Sequence, residues 1–256
     1  LVSAQRLAAW GDVARRIAHE IKNPLTPIQL SAERLKRKYT PLVGDAGDQL
    51  ENLTNVIIRQ TNDLRRIVDD FSKFARMPEP ERTACDLIEI LQDAVLLQEN
   101  GFPNVRFRSD IQVDAAAAAL DATLLRQALT NLLKNAAEAT LARASQTPLP
   151  PPEIRIVLTS NDQRHRLTIS DNGIGLPADR AKLFEPYVTH REGGTGLGLP
   201  IVLKIIEDHG GALSLKDAEP FATSHPRGAM AEIVLPRIQA PTQSNYQDTQ
   251  KGAQYG

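Results

Sequence analysis

The feature that most restricts the fold of this 256-residue chain is a pair of apolar repeats within its first 75 residues. Both repeats advance in alternating steps of three and four residues, the spacing typical of long helices that pack through one apolar seam. The first repeat, with two weak members, comprises Leu7, Trp10, Ala14, Ile17, Ile21, Pro24, Ile28, Ser31 and Leu35. The second, with one polar member, comprises Leu50, Leu53, Ile57, Gln60, Leu64, Ile67, Phe71 and Phe74.

We therefore predict two long helices over residues 1–75, separated by a turn-rich break near residues 41–47. Two consecutive helices of this kind form an antiparallel hairpin, which leaves one apolar stripe uncovered. An identical hairpin is the simplest cover for that stripe. The sequence thus predicts a dimeric four-helix bundle.

The segment at residues 76–86, RMPEPERTACD, breaks the helical period with two prolines and is predicted to be a linker. A second domain follows over residues 87–238, and a polar tail at residues 239–256 is predicted to be disordered. Within the second domain we predict helices at 87–99, 121–143 and 197–208, and strands at 105–111, IRIVLTS, RLTIS, ALSL and AEIVL. Helices that alternate with mostly adjacent strands indicate an α/β sandwich.

The composition excludes several function classes. Thirty Lys and Arg residues against thirty-one Asp and Glu give a formal charge of −1, which argues against a protein that coats nucleic acid. A single cysteine, Cys85, excludes a disulfide framework and a cysteine-rich zinc site. The five histidines lack the spacing of zinc ligands, so we predict no zinc site. No apolar run of about 18 residues is present, so we predict no membrane-spanning helix. Because the chain begins with Leu-Val-Ser-Ala, we expect a fragment of a longer protein.

One histidine of the first helix is set apart by its heptad position. With Ile17 at position d, His19 falls at position f and is predicted to face water. Glu20 is adjacent, Asn23 lies four residues on along the same face, and Pro24 interrupts the helical hydrogen bonds. A neutral imidazole can attack a phosphoryl group while a neighbouring carboxylate holds the proton of its other ring nitrogen. An exposed histidine without a function is the competing interpretation.

The run HEIKNP, from His19 to Pro24, followed by LTPI, resembles the phospho-acceptor box of bacterial sensor histidine kinases. That resemblance implies that His19 is the phosphorylated residue and that Glu20 assists proton transfer. It also implies that Asn23 orients a water for dephosphorylation of a partner, the second activity of many members. The longer segment AWGDVARRIAHEIKNPLTPIQLSAERLKRKY further resembles the nitrogen-regulation NtrY-type sensors, whose parents carry membrane and sensory regions upstream.

Two amides in the helix predicted at 121–143 lie four residues apart and share a face. These are Asn131 and Asn135, whereas Leu129, Leu132 and Leu133 are expected to face the sheet. An amide oxygen is a suitable ligand for Mg²⁺, which keeps several waters and substrate phosphates in its shell. The pair resembles the N box of the same family, which implies that Asn135 ligates Mg²⁺ and that Asn131 acts through phosphate or a metal-bound water.

The strand RLTIS runs into DNGIG, which places Asp171 at a strand end beside Gly173 and Gly175. Glycine permits positive φ and a close approach of the backbone to a flat ring. An ionised carboxylate can accept a hydrogen bond from the exocyclic amine of adenine and would reject guanine, whose oxygen stands at that place. By itself Asp-Asn-Gly is a common turn sequence, so an ordinary Asx turn is the alternative.

A glycine-rich segment, GGTGLGL at residues 193–199, leads into the helix predicted at 197–208. Flexible glycines followed by the free N–H groups of a first helical turn can bind phosphate oxygens. The candidate contacts are Thr195, Gly196, Leu197 and Gly198. Taken alone, such a segment often serves only as a turn.

The order of these segments is more specific than any one of them. The N box, DNGIG, LFEPY and GTGLG follow one another like the N, first glycine, F and second glycine boxes of the Bergerat ATP-binding fold. The four boxes imply an ATP-binding α/β sandwich with a mobile lid at residues 176–195. Together with the phospho-acceptor box, the resemblance to sensor histidine kinases covers residues 5–237. Three positions depart from the family pattern: Tyr187 for Phe, Thr189-His190-Arg191 for Thr-Thr-Lys, and Pro200 for Ala. Arg191 is still expected to meet phosphate.

Three other function classes compete with this interpretation. GIGLPA matches a dinucleotide fingerprint, but Pro177 and a glycine-rich lid stand where an NAD-binding fold needs a helix. A kinase-dead scaffold would lack an Asn, Asp or His of the boxes, and none is lost. An ATPase of the gyrase and chaperone kind would carry a glutamate at the first N-box position, where this chain has Asn131.

We therefore expect a homodimeric protein histidine kinase that uses ATP and Mg²⁺ to phosphorylate His19. The phosphoryl group would pass to an aspartate in the receiver domain of a response regulator, in two-component signalling linked to nitrogen. The fragment is expected in the cytoplasm without nucleic-acid or membrane contact, and its parent in the bacterial inner membrane. The sequence leaves open the stimulus, the identity of the regulator, the kinase to phosphatase balance and whether phosphorylation occurs in cis or in trans.

Overall fold

The structure, a computed structural model, describes residues 2–75, 79–147, 150–186, 188, 195–221 and 227–238. Contacts divide the chain into two compact units, residues 1–79 with 179–201 and residues 80–178 with 202–256. No helix in the described ranges is long and apolar enough to cross a membrane. The predicted tail at residues 239–256 lies outside them.

The first unit is built on two long helices, α1 (Val2–Tyr39) and α2 (Gly47–Ala75), as the repeats predicted. Short 3₁₀ turns at Thr40–Leu42 and Gly44–Ala46 connect them. The helices run antiparallel: residues near the middle of α1 contact the end of α2, and the end of α1 contacts the start of α2.

Small and β-branched residues, with one leucine, fill the interface between α1 and α2. The buried side chains recur every seven residues on each helix: Ala18, Leu25 and Ala32 on α1, and Thr54, Thr61 and Val68 on α2. The two threonine hydroxyls donate hydrogen bonds to the carbonyls of Leu50 (2.8 Å) and Ile57 (2.7 Å) within α2. Buried hydroxyl groups are thereby satisfied without a partner across the interface.

Polar contacts at the edge of this interface fix the register of the hairpin. Lys36 Nζ lies 2.9 Å from Glu51 and donates to Asn55 Oδ1 at 3.0 Å. Nearer the other end of the hairpin, Lys22 pairs with Asp69. These exposed pairs each stabilise the hairpin only slightly, but together they oppose a slip of one helix along the other.

The heptad seam predicted from the sequence is the uncovered stripe of the hairpin. Its large apolar members are 37 to 57% exposed in the single chain: Ile17, Ile21, Ile28 and Leu35 on α1, and Leu53, Ile57, Leu64 and Ile67 on α2. A contiguous exposed apolar surface of this kind marks an interaction site. The prediction that the hairpin leaves one stripe uncovered is therefore confirmed over the described side chains.

The remaining elements begin with β1. Besides a 3₁₀ turn at Arg180–Phe184, they are β1 (Thr83–Asp86), α3 (Leu87–Gly101), β2 (Arg106–Ile111), β3 (Ala117–Leu120), α4 (Ala122–Gln146), β4 (Glu153–Ser160), β5 (Arg164–Asp171), α5 (Gly198–Asp208), β6 (Ala212–Asp217) and β7 (Ala229–Pro236). A five-stranded sheet has the order β2-β4-β5-β7-β6, in which β2 and β4 are parallel and the other neighbours antiparallel. Alternate residues of β4, β5 and β7 are buried, with α3 and α4 packed on the sheet. The predicted α/β sandwich is confirmed.

One difference concerns the segment predicted to be a linker. Its last four residues form β1, which pairs antiparallel with β3 in the register Thr83 to Leu120. Neither strand was predicted, because small residues dominate both and leave no alternation of large apolar and polar side chains. Asp86, the last residue of β1, also caps α3 through a hydrogen bond from Ile88 N–H.

A nearly buried carboxylate lies on the sheet face opposite the apolar side chains of β7. Glu232 accepts hydrogen bonds from Lys216, from Arg166 and, at 3.2 Å, from Ser214. The hydrogen bond from Lys216 and the attraction of the two cations lower the pKa of Glu232 below its ordinary value, although burial acts in the opposite direction. Glu232 therefore stabilises the fold in its ionised form.

We expect Glu232→Gln to lower the melting temperature at pH 7. A carboxylate with a lowered folded pKa stabilises the protein above its unfolded pKa of about 4.3, and this stabilisation is lost as the pH falls through the folded pKa. The difference in melting temperature between wild type and Glu232→Gln should therefore shrink from pH 7 to about pH 3. Scanning calorimetry measures the melting temperatures, with Asp110→Asn on β2 as the control. A difference between wild type and Glu232→Gln that is equal at both pH values would contradict the prediction.

Candidate functional site

His19 lies on an exposed face of α1. Its side chain is exposed, as are those of Glu20 and Asn23, whereas its neighbour Ala18 is 2% exposed in the hairpin interface. The heptad position thus predicted the exposure of His19 correctly. Asn23 is one helical turn from His19 on the same side of the helix.

Two prolines lie inside α1, five and eight residues after His19, and the helix continues through both. Pro24 and Pro27 have no N–H, so the carbonyls of Glu20 and Asn23 lose the amide donor that a helix normally supplies. The hydroxyl of Thr26 donates a 3.4 Å hydrogen bond to the Lys22 carbonyl in the same stretch. The backbone beside His19 is therefore less constrained by helical hydrogen bonds than the rest of α1.

The two asparagines lie on α4, which begins at a well-defined cap. Asp121 Oδ1 accepts hydrogen bonds from the N–H groups of Thr123 (3.0 Å) and Leu124 (3.1 Å). Asn131 and Asn135 are half-buried, while the leucines predicted to face the sheet are at most 4% exposed. The predicted orientation of this helix is confirmed.

Asp171 is the last residue of β5, and its carboxylate is held by backbone groups. It is 4% exposed, and its Oδ1 accepts hydrogen bonds from Gly173 N–H (2.8 Å) and Ala229 N–H (3.2 Å). The first bond is an Asx turn, so the alternative interpretation of the sequence describes the local geometry correctly. The turn engages one of the two carboxylate oxygens and joins β5 to β7.

Asn172 ties this turn to the start of β4. Its side-chain oxygen accepts from Glu153 N–H (3.0 Å), and its side-chain amide donates to the carbonyl of Pro151 (2.9 Å). The residue is 4% exposed. Sequence reasoning did not single out Asn172, although an Asn at this point of a turn is the available signal.

Three glycines bring the backbone around Asp171 into direct contact with its neighbours. A Cβ on Gly173 would lie 2.6 Å from the backbone of Ala139 on α4, one turn beyond Asn135. Gly175 has a φ of +79°, and a Cβ there would lie 2.7 Å from the Arg227 carbonyl oxygen. The structure thus brings Gly173 against the helix that carries both asparagines, whereas Gly175 meets the chain just before β7. Sequence reasoning missed the third glycine, Gly228, whose added Cβ would lie 1.8 Å from the Asp171 carbonyl oxygen.

The second glycine-rich segment is described from Thr195 onward. Gly196 has a φ of +67°, Leu197 is fully buried, and α5 begins at Gly198. Leu197 N–H donates a long 3.5 Å hydrogen bond to Thr195 Oγ1. This is the loop followed by a first helical turn that phosphate binding requires. Arg191, also predicted to meet phosphate, lies outside the described residues.

Within the described ranges, no group of three or more His, Cys, Asp or Glu side chains could hold a metal ion. The amide oxygen of Asn135 remains a suitable single ligand for an ion whose other ligands are waters and phosphates.

Two family models match separate parts of the chain. Residues 9–80 match the His Kinase A (phospho-acceptor) domain, and residues 120–239 match the histidine kinase-, DNA gyrase B- and HSP90-like ATPase. The first match contains His19, and the second contains both asparagines of α4 and Asp171. The two families thus divide the candidate residues as the sequence motifs did.

Several known proteins are similar to this chain over most of its length, including both matched regions. The nitrogen regulation protein NtrY of Azorhizobium caulinodans is 52% identical over 242 residues, which are 92% of this chain and 30% of that protein. The sensory histidine kinase/phosphatase NtrB of Rhodobacter capsulatus is 34% identical over 80% of this chain and 58% of its own length. The crystal structure of histidine kinase ThkA with response regulator protein TrrA matches at a TM-score of 0.62 and 26% identity, covering 92% of this chain and 64% of that one. The chain spans about a third of the length of the NtrY-type relatives.

We expect Gly228→Ala to lower the melting temperature by several degrees. The added methyl group would overlap the Asp171 carbonyl oxygen at 1.8 Å, and overpacking of this severity costs about 3 kcal/mol or more. Gly101→Ala is the matched control, since nothing lies within 4 Å of the added Cβ there. Equal melting temperatures for the two variants would show that β5 and β7 do not meet as closely as described.

Proposed function

The chain belongs to the sensor histidine kinases, and from this premise we propose that it transfers the γ-phosphoryl group of ATP to His19. The observation that carries the proposal is an exposed imidazole on one domain of a chain whose other domain holds a buried carboxylate, Asp171, in a glycine-lined turn. One similar protein is named nitrogen regulation protein NtrY, and another is named a putative sensor histidine kinase NtrY-like. We extend the proposal to two-component signalling linked to nitrogen.

In the proposed reaction His19 is the nucleophile. The lone pair of one ring nitrogen forms a bond to the γ-phosphorus of ATP while the bond between that phosphorus and the ADP oxygen breaks. The carboxylate of Glu20, the next residue, accepts the proton of the other ring nitrogen as the ring becomes positively charged. The exposed position of His19 supports the proposal, because the phosphoryl donor and a later acceptor must both reach it.

On the nucleotide side we assign Asp171 to the adenine base. Its fixed carboxylate would accept the exocyclic amine of adenine, and Gly173 and Gly175 let the backbone approach the ring. Thr195, Gly196, Leu197 and Gly198 would bind the phosphates through backbone N–H groups. The guanidinium group of Arg191 would add a positive charge beside the phosphates.

Mg²⁺ fits this arrangement as an ion that arrives with the nucleotide. Bound there, it would neutralise phosphate charge during transfer. Asn135 would supply an amide oxygen to it, and Asn131, four residues earlier on the same face of α4, would position a phosphate or a bound water. The half-buried position of both amides supports this assignment.

We propose a response regulator as the next acceptor. An aspartate of its receiver domain would attack the phosphorus on His19, and the bond from phosphorus to the ring nitrogen would break. The similar kinase ThkA was solved in complex with a response regulator, which supports a partner of this kind. The similar NtrB is named a kinase/phosphatase, and we assign Asn23 to orient a water that would attack the phosphorus on the regulator's aspartate, which would break the bond to the carboxylate oxygen and release inorganic phosphate.

The ATPase families that share this fold supply the alternative function. A hydrolase of the gyrase and chaperone kind needs a carboxylate at the first N-box position to take a proton from water. Asn131 occupies that position, and an amide cannot serve as such a base. The transferase is therefore the function that the site supports best.

We propose that residues 1–75 form the dimerisation and phosphotransfer domain and that residues 87–238 form the ATP-binding domain. Two copies of the hairpin would bury the exposed apolar stripe in a four-helix bundle. We propose that these domains lie in the cytoplasm, because the reaction needs ATP and a response regulator, and that the whole protein is anchored in the inner membrane.

We expect His19→Gln to lose all label when the chain is incubated with γ-labelled ATP and Mg²⁺. The wild-type label should survive alkali and be lost in acid, as a bond between nitrogen and phosphorus is. Arg34→Gln, at another exposed position of α1, should label like wild type. Acid-stable label, or label retained by His19→Gln, would refute the proposal.

We expect Leu64→Lys to convert a dimer into a monomer that keeps its helical content. Leu64 is 48% exposed in the single chain, so the change is tolerated by one hairpin but would bury an unpaired charge between two. Sedimentation over a range of concentrations measures the association. Leu96→Lys, at a position of α3 that is 59% exposed, is the control and should remain dimeric. Unchanged association of Leu64→Lys would exclude this stripe as the interface.

A further inference from the structure

The chain that enters the second unit is bound at once to two different helices. Glu81 N–H donates a 3.1 Å hydrogen bond to Asp121 Oδ2, beside the start of α4. The next side chain, Arg82, donates to the carbonyl of Asp208, the last residue of α5. Two adjacent residues thus contact opposite kinds of helix end, an N-terminus and a C-terminus.

Asp121 is the centre of this arrangement, and each of its polar groups has a separate task. Its Oδ1 caps α4 through the N–H groups of Thr123 and Leu124. Its Oδ2 accepts the Glu81 N–H. Its own N–H donates to His209 Nε2 at 2.9 Å.

His209 connects the two helices directly. It is 2% exposed, and its Nδ1 lies 2.7 Å from the carbonyl of Ile205, one turn back in α5. Because Nε2 must accept the Asp121 N–H, the ring proton lies on Nδ1 and is donated to Ile205. Both ring nitrogens are used, so this histidine holds the start of α4 against the end of α5.

The proposed nucleotide contacts lie in the middle of α4 and at the other end of α5. Asn131 and Asn135 lie ten and fourteen residues beyond Asp121 on α4, and Thr195–Gly198 leads into α5. Helices transmit displacement because their backbone is internally hydrogen-bonded. A ligand that fixes α4 and α5 relative to each other would therefore also fix the two acceptors that bind Glu81 and Arg82.

We propose that Asp121 is a positioning residue that couples occupancy of the nucleotide site to the anchoring of the chain at Glu81. This inference rests on the proposed function, since it needs a nucleotide that contacts both helices. Coupling between two sites is reciprocal. Displacement of residues 81–82 by movement of the preceding helix would therefore weaken nucleotide binding by the same factor that nucleotide strengthens the anchor.

Asp121→Asn separates the two tasks of the side chain. Asn caps helices as well as Asp does, so its oxygen can keep the bonds to Thr123 and Leu124. Its amide group then replaces Oδ2 and presents a donor to the donating Glu81 N–H. The cap is retained and the anchor is lost.

The experiment measures amide hydrogen exchange of Glu81 in the 256-residue chain with and without Mg-ADP. In wild type we expect nucleotide to slow this exchange by about 5-fold or more, the lower end of typical coupling between sites. In Asp121→Asn the nucleotide effect should disappear, and in Arg82→Met it should be reduced. Asp93→Asn is the matched control: it removes an exposed 2.9 Å ion pair with Arg126 of α4, and should keep the full effect.

The outcomes separate this inference from the kinase proposal. Calorimetry first establishes whether Mg-ADP binds; if it does not, both proposals fail. Binding without any change at Glu81, or an equal change in wild type and Asp121→Asn, overturns the inference alone. Thermal denaturation checks that Asp121→Asn is folded, and Arg82→Met provides the comparison if it is not.

Discussion

No side chain fits between the end of β5 and the start of β7, and the candidate nucleotide site depends on that exclusion. Backbone meets backbone at Gly228, and again where Gly173 lies against Ala139 of α4. Because packed interiors tolerate little change in volume, these contacts fix Asp171 with respect to α4. The asparagines lie on the same helix, four and eight residues before Ala139, so one set of glycine contacts positions both kinds of polar group.

The hairpin carries side chains of different size on two neighbouring faces. Alanine and threonine, together with Leu25 and Val68, line the contact between α1 and α2, where the short side chains let the two helices approach closely. Isoleucine and leucine line the uncovered stripe, where a larger apolar area is available to a second copy. His19 belongs to neither face. The helix can therefore keep its packing while the imidazole remains accessible to more than one reactant.

The parts of the fold that follow from the sequence are those with strong periodicity or a cap. The heptads predicted both long helices, and Asp121 marked the start of α4 because its side chain accepts two backbone hydrogen bonds. The ribbon of β1 and β3 could not be predicted, since Cys85 pairs with Ala118 in a ladder without large side chains. The role of Gly228 could not be predicted from the sequence either. Its role follows from a contact across 57 residues of sequence, and nothing local to it distinguishes it from an ordinary turn glycine.

The amide at Asn131 explains why the two domains would need each other. A site that binds ATP and carries a carboxylate beside the γ-phosphate can activate water and turn over alone. An amide cannot take that proton at neutral pH, so the nucleophile has to bring its own lone pair and its own proton acceptor. In the proposed reaction His19 and Glu20 would supply both from a separate helix. ATP consumption would then depend on the approach of that helix, and the hydrogen bond from Glu81 N–H to Asp121, which holds the chain at the start of α4, would be a point of control.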